Sequence, residues 1–372
     1  MNNPNKLDLR AAEERGIPAA VRQRLALNEK TIAEMCSGLR QVASLKDPVG
    51  EILGTWKRPN GLTIQKVRVP IGVIAMIYEA RPTVTADAAA LCIKAGNAVI
   101  LRGGKEALHS NVALARILKA SAARMGLPKD SLQLIERPAH EVVNELLKLN
   151  AYIDLVIPRG GEALIRKVTE LATIPVIKHY KGVCHVYVDR RADCGMAENI
   201  IMNAKVQKPA VCNAAETLLV HKGIARSFLP RAAAALKARG VELRGDPAAR
   251  KIVPGLKVAK KSDWGFEYLD FILAVKVVRD LDEAVAHIAR YGSQHSDTIV
   301  TSDRKTAERF LREVDSSAVF WNASTRFNDG GQFGMGAEIG ISTDRIHARG
   351  PMALPELTIY KYVVRGRGQV RE

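Results

Sequence analysis

From residue 71 onward the chain repeats one unit: a short apolar run, a turn, and a stretch of helical periodicity. Gly72–Ile77 leads through Tyr78-Glu79-Ala80-Arg81-Pro82 to a helix over Thr85–Lys94, and Ala98–Leu101 leads through Arg102-Gly103-Gly104-Lys105 to a long helix ending at Arg124. Leu132–Ile135 precedes a helix over 140–148, and Ile153–Ile157 leads through Pro158-Arg159-Gly160-Gly161 to a helix over 162–171. Apolar strands alternating with helices need crossover connections, and crossovers build parallel sheets covered by helices. The alternation therefore predicts an α/β fold with ligands at the carboxyl ends of its strands.

The pattern resumes with a helix over 222–239, strand Phe271–Val278, helix Leu281–Arg290, strand Thr298–Thr301, a helix over 303–312 and strand Ala318–Trp321. Asn322–Gly340 is polar and glycine-rich, a composition that fits a functional loop, and Leu357–Val364 reads as a strand with a basic tail. Ahead of the alternation, residues 5–46 read as helices. Glu51–Lys57 and Leu62–Val69 flank Asn60-Gly61, the strongest short hairpin signal. At 372 residues the chain is long enough for two domains with a smaller appendage.

Five cysteines, widely spaced and without a CxxC pair, point to a reducing compartment and exclude zinc sites of the usual spacing; no metal is expected. The first residues lack the apolar core of a signal peptide, and no run is long enough to span a bilayer, so the expectation is a cytoplasmic protein without membrane contact. The net charge of +17 is spread along the chain with no basic tail and no aromatic-interleaved block. That distribution suits anionic ligands better than nucleic acid.

Asn203–His221 sets Cys212 in a basic loop between two regular elements. Asp193 caps a predicted helix through Ala204, Pro209 ends any continuation, and Thr217–Val220 reads as a buried strand. Lys205 and Lys208 favour a thiolate, and backbone N–H groups near Cys212 suit a developing oxyanion. A buried structural thiol accounts for the local pattern equally well. The paired-glycine turns Arg102–Lys105 and Pro158–Gly161 place backbone close to where a phosphate would lie, yet neither is G-x-G-x-x-G, and tight turns alone explain them too.

The segments VPIGVIAMIYEARPTVTADAAALCIKAGNAVILRGGKEA, YIDLVIPRGGEALIR, IPVIKHYKGVCHVYVD, NAKVQKPAVCNAAETLLV, HIARYGSQHSDTIV and DSSAVFWNASTRFNDGGQFGMGAEIGISTDRIHARGP together resemble the γ-glutamyl phosphate reductase branch of the aldehyde dehydrogenase superfamily, in order and over nearly the whole chain. The resemblance implies an aldehyde dehydrogenase-like fold: an atypical Rossmann NADPH-binding domain (1–51 and 70–183), a catalytic domain (184–345), and an oligomerisation hairpin and C-terminal strand (52–69 and 346–372). It also implies that Cys212 is the nucleophile, that Arg102 and Lys105 meet the adenosine ribose and favour NADP, that Arg159, Gly160 and Gly161 lie at the pyrophosphate side, and that Glu267 lies by the nicotinamide ribose. The family's N-terminal helical region is expected to be mostly absent, and Lys208 stands where many relatives carry arginine, losing bidentate anion recognition.

Oxidising aldehyde dehydrogenases need a carboxylate to activate water, and Lys178–Val188 offers His179 and His185 but neither Glu nor Asp. That argues against aldehyde oxidation to a free acid and fits reduction of an acyl phosphate. The resemblance implies that the reaction is reduction of L-glutamyl 5-phosphate to L-glutamate 5-semialdehyde through a cysteine thioester, in proline biosynthesis. Ala80 stands where the superfamily places an oxyanion-binding asparagine, so Asn213 or Asn322 is expected to assist the Cys212 N–H. Lys205, Lys208 and Arg326 are the candidates for binding the anionic substrate; Cys92 and Cys184 read as core thiols, and His295 as catalytic or structural. Expected partners are a small-molecule substrate, further copies of the chain and glutamate 5-kinase. Two other readings stand beside this one: an acylating or oxidising dehydrogenase for another aldehyde, and a basic scaffold that has kept the fold without activity.

Overall fold

The computed structural model describes residues 3–371. Contacts divide the chain into two compact units, one formed by residues 1–178, 334–341 and 351–372, the other by residues 179–333 and 342–350.

The first unit opens with α1 (Pro4–Glu14), α2 (Ala19–Leu25) and α3 (Glu29–Ser44). Asn3 and Asn28 cap α1 and α3, their side-chain oxygens accepting the N–H of Asn5 at 3.0 Å and of Thr31 at 2.9 Å, donors that a first turn leaves open. The hairpin follows: β1 (Ile52–Lys57) pairs antiparallel with β2 (Thr63–Pro70), with Gly61 at φ +88°, the left-handed conformation that the Asn-Gly turn supplies. The strand Thr358–Arg365 pairs with the other edge of β2, completing a three-stranded antiparallel sheet.

Then come β3 (Val73–Tyr78), α4 (Thr83–Lys94), β4 (Ala98–Gly103), α5 (Leu108–Arg124), β5 (Leu132–Leu134), α6 (His140–Leu146), β6 (Leu155–Arg159) and α7 (Glu162–Leu171). The strands form a parallel sheet in the order β5-β4-β3-β6. Ala75, Ile77 and Val156 pack against Leu146, Leu147 and Val168 in one buried cluster. Burying each such aliphatic side chain contributes about 1.5–3 kcal/mol. The chain leaves β3 on one side toward β4 and returns on the other at β6, so the carboxyl ends of these strands flank a topological switch point.

The second unit contains β7 (Cys184–Val188), α8 (Cys194–Val206), β8 (Ala215–His221), α9 (Lys222–Ala238), β9 (Glu242–Gly245), α10 (Pro247–Ile252), β10 (Lys257–Val258), β11 (Ile272–Val278), α11 (Leu281–Tyr291), β12 (Ser296–Val300), α12 (Arg304–Glu313) and β13 (Ala318–Trp321). Seven parallel strands run in the order β10-β9-β11-β8-β7-β12-β13. One cluster gathers Val186, Leu218 and Val275 with Phe228 and Leu236, and another gathers Tyr187, Leu219 and Ile299 with Ile288 and Phe310. Successive residues of β7 and β8 alternate between these clusters, which is why β7 is buried throughout and β8 as far as Val220.

Most expected elements are present within two residues of their expected ends. Strands β7, β9 and β10 and helix α10 were not anticipated, and β12 begins at Ser296 instead of Thr298. The polar start of β12 is tolerated because its groups are satisfied: Asp297 Oδ1 accepts His185 N at 2.9 Å and lies 2.8 Å from His185 Nδ1, with both side chains fully buried. Among the described residues no helix is long and apolar enough to cross a membrane.

Candidate active site

Cys212 lies three residues ahead of Ala215, the first residue of β8, and that places it at the amino edge of the seven-stranded sheet. His179 precedes β7 and His295 precedes β12, two strands of the same parallel set, so all three side chains gather at one edge. A donor atom of each lies within 4.8 Å of the donor atoms of the others, and the two imidazole centroids are 5.4 Å apart. The loop from α8 delivers the cysteine before its strand begins, in the helix–loop–strand setting expected for it.

The loop is fixed from several sides. Cys184, fully buried at the start of β7, donates its S–H to the Cys212 carbonyl at 3.2 Å, and burial pushes that thiol well above the usual range. A Cβ on Gly182 would stand 1.7 Å from the Cys212 carbonyl oxygen, so only glycine permits the approach. Asn213 Nδ2 donates to Asn328 O at 3.1 Å, Thr325 Oγ1 donates to Asn213 O at 2.7 Å, and Asn328 Nδ2 donates to Ser296 Oγ at 2.8 Å. The turn over 324–328 thereby ties the cysteine loop to the start of β12. His295 is fully buried and neutral at pH 7, since burial pushes its pKa down to about 4 against the pull of Glu267 and Asp297.

The structure sorts the expected substrate cations. Lys205 is wholly buried, with its Nζ 2.7 Å from Glu216 Oε2, and therefore does not face solvent as a substrate-binding lysine would. Lys208 is exposed. Arg326 is half-buried, donates through Nε to Gln207 Oε1 at 3.0 Å and through Nη1 to Asn213 Oδ1, and lies within electrostatic reach of Cys212. Burial lowers the pKa of its guanidinium against the opposing charges of Asp329 and Cys212.

The expected oxyanion donors are held elsewhere. Asn322 follows the carboxyl end of β13, where its side chain accepts Thr301 N at 2.9 Å and donates to Thr301 O at 3.0 Å. Cys212 lies at the amino edge of the same parallel sheet, so the length of the strands, at about 3.3 Å per residue, separates them. The Asn213 amide is committed to the carbonyls of Arg326 and Asn328. Glu267 accepts the Gly182 N–H at 2.8 Å, which brings a carboxylate beside the segment that abuts Cys212. Glu267, expected by the nicotinamide ribose, thus stands beside the cysteine segment although 55 residues separate it from Cys212 in sequence (267 − 212).

In the first unit Glu79 follows β3, Arg102 to Lys105 span the carboxyl end of β4, and Arg159 to Gly161 span that of β6. Arg102 is turned inward, donating to Gly103 O at 3.1 Å and Pro138 O at 2.7 Å, whereas Lys105 is exposed. Gly161 N donates to Glu79 Oε2 at 2.8 Å, and a Cβ on Gly160 would stand 2.4 Å from that oxygen, so the N-terminus of α7 already cradles a carboxylate. Arg159 faces Asp87, whose pKa burial pushes up to about 6 against the pull of Arg159. Exposed Lys105 and half-buried Arg159 fit a phosphate-bearing dinucleotide, whereas the Gly161 N–H expected at the pyrophosphate side is taken by Glu79.

The Aldehyde dehydrogenase family model matches residues 19–255, and the chain belongs to that family of oxidoreductases. Among its curated relatives are the gamma-glutamyl phosphate reductases of Geotalea daltonii, 57% identical over 99% of this chain and 88% of that protein, and of Caldanaerobacter subterraneus subsp. tengcongensis, 58% identical over 99% and 89%. The crystal structure of the gamma-glutamyl phosphate reductase from Thermotoga maritima superposes with a TM-score of 0.98 at 49% identity, covering 99% of this chain and 89% of that one.

Proposed function

We propose that this enzyme reduces L-glutamyl 5-phosphate to L-glutamate 5-semialdehyde and phosphate with NADPH, in proline biosynthesis. The observation that carries the reading is Cys212, a half-buried cysteine pinned beside His179 and a neutral His295, in a chain 57% identical to a named gamma-glutamyl phosphate reductase.

Cys212 attacks the γ-carbonyl as its thiolate, the C–O bond to phosphate breaks, and phosphate leaves with the bonding pair. No acid is needed for that departure, since phosphate leaves as a stable anion. The backbone N–H of Cys212 is the oxyanion donor, because the side chains of Asn213 and Asn322 are committed elsewhere. NADPH, when bound, supplies the hydride that converts the thioester to a thiohemiacetal. Collapse of the thiohemiacetal returns the sulfur as thiolate and releases the aldehyde. Arg326 and Lys208 meet the anionic ends of the substrate, and Lys105 and Arg159 hold the phosphates of the cofactor.

In this reading the first unit binds cofactor and the second carries the chemistry. The sheet of β1, β2 and Thr358–Arg365 joins copies of the chain, since Trp56, Ile359, Tyr360, Tyr362 and Val364 leave it with exposed apolar side chains.

The test is the reverse reaction: NADP reduction by L-glutamate 5-semialdehyde, with and without phosphate, for the native enzyme and Cys212→Ala. Phosphate-dependent activity that vanishes in the variant is the expected result. Activity that does not need phosphate would replace this reading with aldehyde oxidation, for which Glu267 beside Gly182 is the nearby carboxylate.

A further inference from the structure

The three donors at the amino edge have a chemistry that acyl transfer does not use. Cys212 Sγ and one nitrogen each from His179 and His295 lie within 4.8 Å of one another, delivered by three segments ahead of β7, β8 and β12. His295 is fully buried, its Nδ1 is 2.8 Å from Ser296 Oγ, and its Nε2 has no hydrogen-bond partner. A buried polar atom left unpaired costs about 1–3 kcal/mol, and native interiors keep few of them.

Ser296 Oγ accepts from Asn328 Nδ2 at 2.8 Å and keeps a second lone pair that can accept an Nδ1–H of His295. With the proton on Nδ1, the Nε2 carries a lone pair and no proton, which is the form that ligates metals. Cys184 does not compete, because its S–H is directed to the Cys212 carbonyl.

We propose that Cys212, His179 and His295 form a binding site for a zinc-class divalent cation, and that occupancy inhibits the enzyme reversibly by capping its thiolate. One thiolate and two imidazoles are a donor set for zinc or cadmium; magnesium and calcium want oxygen ligands, and none of the three residues offers one. Binding forms one metal–sulfur and two metal–nitrogen bonds, the Cys212 S–H proton passes to solvent, and no electron moves. Water fills the fourth position. Zinc holds sulfur at about 2.3 Å and nitrogen at about 2.0–2.1 Å, so donors at most 4.8 Å apart need only a small rotation toward a common centre.

The inhibitory consequence rests on the reading of Cys212 as nucleophile, whereas metal binding does not. The experiment therefore separates them. Cobalt(II) is titrated into the purified enzyme as a spectroscopic stand-in for zinc, following thiolate-to-metal charge-transfer absorption. In parallel, zinc is titrated against turnover and against alkylation of Cys212 by iodoacetamide. The expected result is one cobalt per chain with a charge-transfer band that Cys212→Ser abolishes, a cobalt affinity at least tenfold weaker in His179→Ala and in His295→Gln, and zinc inhibition that a chelator reverses. His179→Ala keeps the test decisive if the buried His295→Gln does not fold. A charge-transfer band with unchanged affinity in His179→Ala would overturn the site, as would zinc inhibition without sulfur ligation. Normal cobalt binding in an enzyme whose turnover survives Cys212→Ala would leave the metal site standing and remove the catalytic reading.

Discussion

Lys205 Nζ lies 2.7 Å from Glu216 Oε2 with both side chains wholly buried, and the loop that carries Cys212 runs from one of these residues to the other. The pair closes the base of that loop. Glu216 Oε1 also accepts the Leu269 N–H at 3.2 Å, so the carboxylate serves two partners. Burial pushes both groups toward their neutral forms, and their contact opposes that push.

Removing one partner leaves an uncompensated buried charge. Lys205→Met is expected to destabilise the protein by about 3–5 kcal/mol, whereas Lys205→Met with Glu216→Leu regains most of that. Urea unfolding of the native protein and both variants measures it. A single variant within about 1 kcal/mol of the native protein would mean that the carboxylate finds another partner.

Gly182 abuts the Cys212 carbonyl, and a Cβ there has nowhere to go. Gly182→Ala is expected to shift the cysteine loop and lower kcat by about 100-fold, the scale associated with an ångström of misplacement at a reacting centre. Circular dichroism should remain native. Unchanged turnover would show that the loop position is not what the reaction depends on.

Asn322 provides the opposite test. Its side chain bonds Thr301 at the carboxyl edge of the sheet, and its φ is +55°, a conformation in which asparagine is tolerated better than most residues. Asn322→Ala is expected to cost about 1–3 kcal/mol in stability while leaving kcat near native. A loss of kcat at unchanged stability would restore Asn322 as an oxyanion donor.

His287 is buried among Trp264, Tyr291 and His185, with ring centroids at 5.3, 4.7 and 5.6 Å, and its pKa is pushed down to about 3. Burial is the chief cause, aided by His185 and Lys276 and opposed by Glu283. Between pH 6.5 and about 3 the unfolded chain binds this proton and the folded one does not, so stability rises with pH across that window. The full contribution is present above pH 6.5 and is lost progressively as the pH falls toward 3, by at most about 1.4 kcal/mol per pH unit. In His287→Phe the urea midpoint is expected to fall less steeply over this range. Parallel profiles would contradict a buried neutral imidazole.

What the sequence determined by itself is local. The alternation of apolar runs, turns and helical stretches fixed a parallel α/β architecture, because only crossovers connect such strands. Asn60-Gly61 fixed the hairpin, since its turn needs positive φ, and Asp193 fixed the start of α8, where its side chain accepts the Met196 N–H at 2.7 Å. The motif-level resemblance carried the family, and Cys212 was the residue that local chemistry and resemblance singled out together.

The tertiary structure decided which polar residues meet. Lys205 and Asn322 read from the sequence as surface or site groups, and the fold placed one in the core and the other at the far edge of the sheet. His179, Gly182, Glu267 and His295 surround the cysteine although they are scattered from residue 179 to residue 295. Periodicity reports which face of an element is apolar. It carries no record of strand order, and strand order, by setting β7, β8 and β12 side by side, is what brings their three amino ends to one place.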